Sequence, residues 1–457
     1  MKITVLNGSP KGDVSVTMQY VHYLQQTFPQ HQFEIFHIAQ AIRQIENDTA
    51  QFEAVINAVQ HADGVLWAFP LYIFLVHANY KRFIELIHER NQAGAFRHKY
   101  TAALSTSIHF FDHTAHNYIE AVCDDLDMKY LGFFSAEMDD LLKSERRSQF
   151  QTFAAEFLNG IAAGVPTAKR YQPLNYDIPL YTPGPLDERI DTHARKIVIA
   201  AADANPGTNL GKMLSRLQNL FSQPVERIDL DTLRIKGGCL GCIRCGYDNV
   251  CVYEDSDEVR AAYNALKSAD IVIYAGAIVD RYLSARWKLF IDRRFENTHQ
   301  PILTGKQLGY IISGPLSQIP NLMEIFQAQA EIDQVNLAGI ISDEAKTGAE
   351  IDALLTDFAR RLVRLAEQCY APPRTFLGIG GTVIFRDAIW GKLRFVFQGD
   401  HRYYKQHGFY DFPQKRWGQR LFTGLMMGLT KIPVVRCQIQ HGTKQHMIMP
   451  FRKVLGK

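Results

Sequence analysis

The chain has 457 residues, 47% of them hydrophobic and 21% charged, with a net charge of +3. Its length implies about three domain-sized units, and its composition is globular, which excludes fibrous, disordered and disulfide-framed classes. No uninterrupted apolar run reaches the roughly 20 residues that span a bilayer, and Met1 runs straight into a strand-like segment without a secretory leader, so a cytoplasmic location is expected. The charge is polarised: Pro373–Lys457 holds 15 Lys/Arg and 3 Asp, a balance of +12, which leaves −9 for residues 1–372.

In chain order, short apolar strands alternate with helical patterns. Strands are expected at Ile3–Leu6, Phe33–His37, Val65–Phe69, Ala102–Ser105 and Leu131–Phe134, with helices between them at Val14–Phe28 and Ala78–Glu89. Five strands with helical crossovers predict a doubly wound parallel sheet. Residues 164–195 contain Pro166, Pro173, Pro179, Pro183 and Pro185 and read as an extended, stiff connector. A second series follows at Ile197–Ala200, Val225–Ile228, Ile271–Tyr274, Leu308–Ile312 and Val335–Ile340, closed by an amphipathic helix over Ile351–Cys369. After Pro372 the pattern becomes aromatic and basic without clear βα alternation, and the glycines of Leu377–Gly381 read as a turn.

The two series are one segment written twice. Residues 58–88 and 265–295 align at a constant offset of 207 with nine of 31 positions identical, among them Asp63/Asp270, Lys81/Lys288 and Phe83/Phe290. The chain openings correspond at an offset of 194, so copy two carries 13 extra residues in between. The expected organisation is therefore an α/β chain of two tandem flavodoxin-like, doubly wound, five-stranded parallel sheets. Residues 1–163 form the first domain, 164–195 the linker and 196–371 the second domain, and residues 372–457 are a basic aromatic extension.

Each copy keeps chemistry that the other lacks. In copy one, strand Ile3–Leu6 runs into a polar turn containing Ser9, Lys11, Ser15, Val16 and Thr17, then into a helix. Such a turn offers hydroxyls, backbone N–H groups and a helix dipole to an anion, although an ordinary βα turn with a capping serine has the same outline. Pro70, Leu71, Tyr72, Ile73 and Phe74 follow the third strand, and Ser107 and His109 follow the fourth. His109, Asp112, His113 and His116 could also be read as a metal site. Copy two has Asp203 where a phosphate would sit, and Ala277 and Val279 in place of Pro70 and Tyr72. A carboxylate there repels a phosphate, while Gly207, Thr208 and Asn209 leave a weakened site open.

Copy two alone carries Cys239, Cys242, Cys245 and Cys251, spaced C-x2-C-x2-C-x5-C. This run is close to that of 4Fe–4S ferredoxins, with zinc the second choice of metal; the rival to any cluster is four empty thiols, since count and spacing do not show occupancy.

Read together, the GSPK turn with Ser15 and Thr17, Pro70-x-Tyr72, and the Lys81, Phe83, Ile84 helix resemble the NAD(P)H-dependent FMN reductase family, including its iron–sulfur flavoproteins. The resemblance covers roughly residues 1–163 and 196–371, and Gly241 adds a match to its C-x-G-C motif. It implies FMN held by the turn and the Pro70–Phe74 loop, NAD(P)H as a donor, and a small-molecule or protein electron partner. Because flavin in this family resembles one bound at a dimer interface, it also implies an internal pseudo-dimer, with further homo-oligomers open. The alternatives are a cluster-free NAD(P)H:FMN or quinone reductase and a non-enzymatic, membrane-peripheral electron carrier. The basic extension could cap the domains or touch an anionic membrane, and it contains no recognised nucleic-acid motif.

Overall fold

In the computed structural model, which describes residues 1–411 and 416–439, every expected strand forms within a few residues of its place. The first domain runs β1 (Lys2–Asn7), α1 (Val16–Thr27), β2 (Gln32–Phe36), α2 (Ile38–Asn47), α3 (Thr49–Gln60), β3 (Gly64–Pro70), α4 (Ala78–Glu89), β4 (Tyr100–Ser107), α5 (Asp112–Asp125), β5 (Lys129–Glu137) and α6 (Ser144–Ala163). Its strands are all parallel in the order β2-β1-β3-β4-β5. β3 is a continuous apolar run, and both β3 and β4 are buried on both faces, as strands covered by helices on each side must be.

The second domain repeats the plan with β6 (Ile197–Ala201), α7 (Asn209–Leu220), β7 (Glu226–Asp229), α8 (Val259–Ser268), β8 (Ile271–Ala277), α9 (Ala285–Arg293), β9 (Gln307–Ser313), α10 (Pro320–Ile332), β10 (Asn336–Ser342) and α11 (Gly348–Glu367). Its strand order β7-β6-β8-β9-β10 is that of the first sheet, and it too is parallel throughout. Both are flavodoxin-like sheets with a switch point beside the first strand, where carboxyl-end loops diverge and leave a crevice.

The two sheets meet through α4 and α9. One hydrophobic core runs across this seam, taking Trp67, Tyr80 and Phe83 from one side and Trp287, Phe290 and Tyr310 from the other. The polar contacts are reciprocal. The Ala78 N–H donates to Asp292 Oδ2 at 2.7 Å, and the Ala285 N–H donates to Glu85 Oε1 at 2.6 Å. These residues match at the offset of 207, so each helix supplies the carboxylate that satisfies an orphan amide at the start of the other. Buried Lys81 donates to Glu85 and Asp280 at 2.9 Å each, and buried Lys288 donates to Asp292 and to the Tyr72 carbonyl.

Beyond α11 lie α12 (Phe376–Ala388), a short π-helical stretch at Ile389–Leu393, α13 (Gln398–Gln406) and α14 (Trp417–Leu429). The expected turn at Leu377–Gly381 is the first part of α12. A Cβ on Gly378 would lie 2.7 Å from Glu331, and one on Gly381 would lie 2.5 Å from Ile332 and 2.9 Å from Phe110. The glycines permit close packing, which outweighs their cost of about 1 kcal/mol each inside a helix. Residues 1–402 form one unit, and the described residues beyond 402 belong to a second.

Candidate functional site

Three loops gather at the carboxyl ends of the adjacent strands β1, β3 and β4. The first leaves β1 at Gly8, where the Phe69 and Tyr80 side chains would stand within 2.9 Å of any Cβ. Ser9, Ser15 and Thr17 are buried along this loop, and Ser15 Oγ caps α1 by accepting the Met18 N–H. Val16 and Thr17 occupy the first helical turn, whose amides lack helical acceptors. Thr17 Oγ1 lies 2.6 Å from Thr106 Oγ1, tying the first loop to the end of β4.

The second loop, Pro70 to Phe74, is a tight reversal in which Tyr72 and Leu75 exchange backbone hydrogen bonds. Ile73 and Phe74 have φ of 36° and 64°, an uncommon conformation for such side chains. Phe74 turns inward and packs with Phe110 and Phe111 at ring separations of 5.2 and 5.0 Å, so it supports the loop from beneath. The Tyr72 phenol is held protonated by burial and by the nearby Cys239, Asp292 and Cys242.

The third loop carries Ser107 and His109. Ser107 Oγ accepts the His109 N–H at 2.8 Å, and His109 Nδ1 meets Asp112 Oδ2 at 2.9 Å. That bond, against some desolvation, raises the His109 pKa. Asp112 also accepts from Ser135, whose Oγ accepts from Ser105 Oγ at 3.3 Å; Ser105 Oγ in turn lies 2.8 Å from His116 Nε2. His113 faces Glu324 instead. The metal reading of His109, Asp112, His113 and His116 does not hold in this geometry, because no three of them bring ligating atoms within 4.8 Å of one another and His113 turns away to Glu324. Among the described residues, the one group with ligating atoms mutually within 4.8 Å is Glu137, Asp139 and Asp140, which Lys143 and Lys392 neutralise.

The cysteine loop of the second domain lies against these loops of the first. His77 Nε2 donates to the Cys239 carbonyl at 2.9 Å while its Nδ1 accepts the Asn79 N–H, which fixes the neutral tautomer in a fully buried ring. A Cβ on Gly241 would sit 2.5 Å from Tyr72 Oη and 2.8 Å from Lys11 Cε, so the loop passes there only as glycine, with φ of +62°. Cys239, Cys242, Cys245 and Cys251 line one cavity together with Arg293. All four are free thiols. Burial, followed by Asp292 and neighbouring thiols, pushes Cys239 up to about 12, and burial with the other three thiols raises Cys245 as well. Arg293 is buried, paired with Asp257 at 2.7 Å, and its Nε has no partner.

His77 and Arg293 were not singled out from the sequence. The signal was there in the repeat: at the offset of 207, His77 replaces the capping Ser284, and Arg293 replaces the apolar Leu86.

The corresponding crevice of the second domain is crossed by the chain's own linker. Asn209 Nδ2 donates to the Pro179 carbonyl at 3.0 Å, the Tyr181 N–H donates to Asn209 Oδ1 at 2.7 Å, and Lys212 donates to the Tyr181 carbonyl at 3.0 Å. Tyr176 donates to the Asp280 carbonyl at 3.2 Å. Asp343, at the end of β10, accepts from Ser313, Gly314 and Asn209. The donors that would face a ligand are thus used internally, and Asp203 keeps a buried, unpartnered Oδ2.

Fold and loops together define a flavodoxin-like protein. Residues 1–132 match the sequence model of the NADPH-dependent FMN reductase family, and that match supports a flavin-dependent, NAD(P)H-linked oxidoreductase with FMN as cofactor. Among solved structures, the chain is similar to FerB, a flavoenzyme NAD(P)H:(acceptor) oxidoreductase from Paracoccus denitrificans, at 17% identity and a TM-score of 0.29 over 35% of this chain and 97% of that one. It is also similar to general stress protein 14 in complex with FMN from Treponema denticola, at 14% identity and a TM-score of 0.27 over 35% and 98%. A third is the FMN-dependent NADH-azoreductase from Bacillus anthracis, at 10% identity and a TM-score of 0.26 over 36% and 99%. No curated protein matches the chain.

Proposed function

We propose that this protein is an NAD(P)H-dependent flavin oxidoreductase that holds FMN in its first domain and a 4Fe–4S cluster on Cys239, Cys242, Cys245 and Cys251 of its second. The two domains would act as an internal pseudo-dimer. The observation that carries this reading is the seating of Gly241 against Tyr72 and Lys11, with Cys239 hydrogen-bonded to His77. It brings the cysteine loop to the loops that we read as the flavin site.

The residues suit both groups. Ser9, Ser15 and the first-turn amides of α1 offer donors to a terminal monophosphate, and Asp13 of the same loop is engaged by His22 and His37. Pro70 to Tyr72 and Ser107 to His109 border the place for an isoalloxazine ring. When bound, FMN supplies hydride and single-electron chemistry and the cluster one-electron chemistry. The protein's own part would be to hold both near Tyr72 and His77, which burial keeps neutral. The run C-x2-C-x2-C-x5-C is closer to that of 4Fe–4S ferredoxins than to the two separated C-x2-C pairs of structural zinc. Arg293, with its unpartnered Nε beside the cavity, supplies counter-charge to an anionic cluster.

The test is flavin, iron and sulfide per chain in anaerobically prepared protein. Cys242→Ser should lower iron while FMN stays, and Ser9→Asp should lower FMN while iron stays. Wild-type protein without iron would leave the flavin reductase and remove the cluster; two flavins per chain would overturn the division of labour.

A further inference from the structure

Helix α14 buries none of its residues. Trp417, Leu421 and Leu425 follow one another at i, i+4 and i+8 along one stripe and are 67%, 73% and 63% exposed. Phe422 and Met427 are as bare. An isolated 13-residue helix is marginal in water, and an apolar surface of this kind marks a place where something else binds. Gln419 and Thr423 lie on the opposite side, and Arg420 folds its guanidinium over the Trp417 ring, 4.9 Å from the centroid, at the edge of the stripe. Arg416 precedes the helix; Lys431 and Arg436 follow it, around exposed Ile432 and Val434. From Phe412 to Lys457 there are nine Lys/Arg and no Asp or Glu.

We infer that this segment is an interfacial anchor that lays its apolar stripe on an anionic lipid surface. The apolar residues enter the acyl boundary while the flanking cations stay among the headgroups, which is the arrangement that amphipathic cationic helices adopt. Spanning is ruled out by length, since 13 residues rise only about 20 Å against a hydrocarbon core of about 30 Å, and no described helix is long and apolar enough to cross a membrane. A nucleic acid would engage the cations and leave Leu421, Phe422 and Leu425 in water. An uninterrupted positive charge beside an apolar stripe is complementary to acidic headgroups over acyl chains. This inference goes beyond the flavin reading and does not depend on it.

The full chain should co-sediment with phosphatidylcholine vesicles that contain phosphatidylglycerol, bind pure phosphatidylcholine weakly, and be released as salt rises. Arg416→Gln with Arg420→Gln should weaken binding by roughly fivefold per charge, from about 1 kcal/mol for each cation near the surface. Leu421→Glu with Leu425→Glu should abolish it, while FMN content and NAD(P)H oxidation stay at wild-type values. Failure to bind acidic vesicles would overturn the inference. So would equal binding by the Leu421→Glu/Leu425→Glu protein, or displacement from vesicles by nucleic acid at equal charge.

Discussion

His116 shows how a single buried ring makes the first domain acid-sensitive. Its Nε2 bonds Ser105, its Nδ1 has no partner, and its ring stacks on Phe133 at 4.0 Å. Burial lowers its pKa to about 4. In the unfolded chain the ring titrates near 6.5. As the pH falls from about 6.5 to about 4, the unfolded chain therefore takes up a proton that the folded chain refuses. Stability falls through that window by about 3 kcal/mol and then levels off. Asp112 acts lower down. Although burial opposes it, bonds from His109 and Ser135 hold its pKa at about 2, so its contribution is lost only as pH falls from about 4 toward 2. Urea midpoints measured between pH 7 and 4.5 should drop in the wild type, and His116→Gln should flatten the curve. Equal loss in both proteins would show that His116 is not the titrating group.

At the scale of elements, the α4–α9 seam sets the site because it brings the cysteine loop over Tyr72. Lys81 is fully buried between Glu85 and Asp280, and Asp280 also accepts from Tyr118 and the Tyr282 N–H. Removing the cation leaves two carboxylates buried without it, so Lys81→Met should cost about 3–5 kcal/mol. Denaturant titration checks this, and adding Asp280→Asn should recover part of the loss. A Lys81→Met protein as stable as wild type would show that water or protonation relieves the seam. The paired Lys81/Lys288 and the 3.6-residue apolar pattern of both helices were legible in the sequence, as were all ten strands. The helix over Leu377–Gly381 was not. Its three glycines advertise a turn until Glu331, Ile332 and Phe110 are seen to crowd the helix, and that crowding is a long-range contact that local pattern cannot report. The path of the linker across the second crevice was hidden for the same reason: prolines predict an extended chain but not the surface it follows.

At the scale of the molecule, residues 373–402 join the parts that would do the chemistry. The Phe385 ring packs at a tilt on Phe110 of the first domain at 4.3 Å and on His299 of the second at 3.8 Å. Asp400 is buried, meets His299 Nδ1 at 2.7 Å and accepts from Thr298. The Val396 carbonyl would stand 2.2 Å from a Cβ on Gly246, which places this stretch directly on the cysteine loop. The cap expected of the extension is thus made by its first 30 residues, on the loop after β4 and on the cysteine loop at once, and charge is the smaller part of it. Aromatic contact and a buried Asp–His pair hold it more firmly than screened surface attraction would. Phe385→Ala should loosen the cap by roughly 1–3 kcal/mol, less than full core truncation because the ring is only partly buried. Asp400→Ala should do the same from the other end. Amide hydrogen exchange should then speed up in residues 244–249 and 109–111, with the ten strands unchanged. Added salt should reproduce little of that effect. If salt alone exposes the cysteine loop while Phe385→Ala leaves it protected, the cap is electrostatic after all.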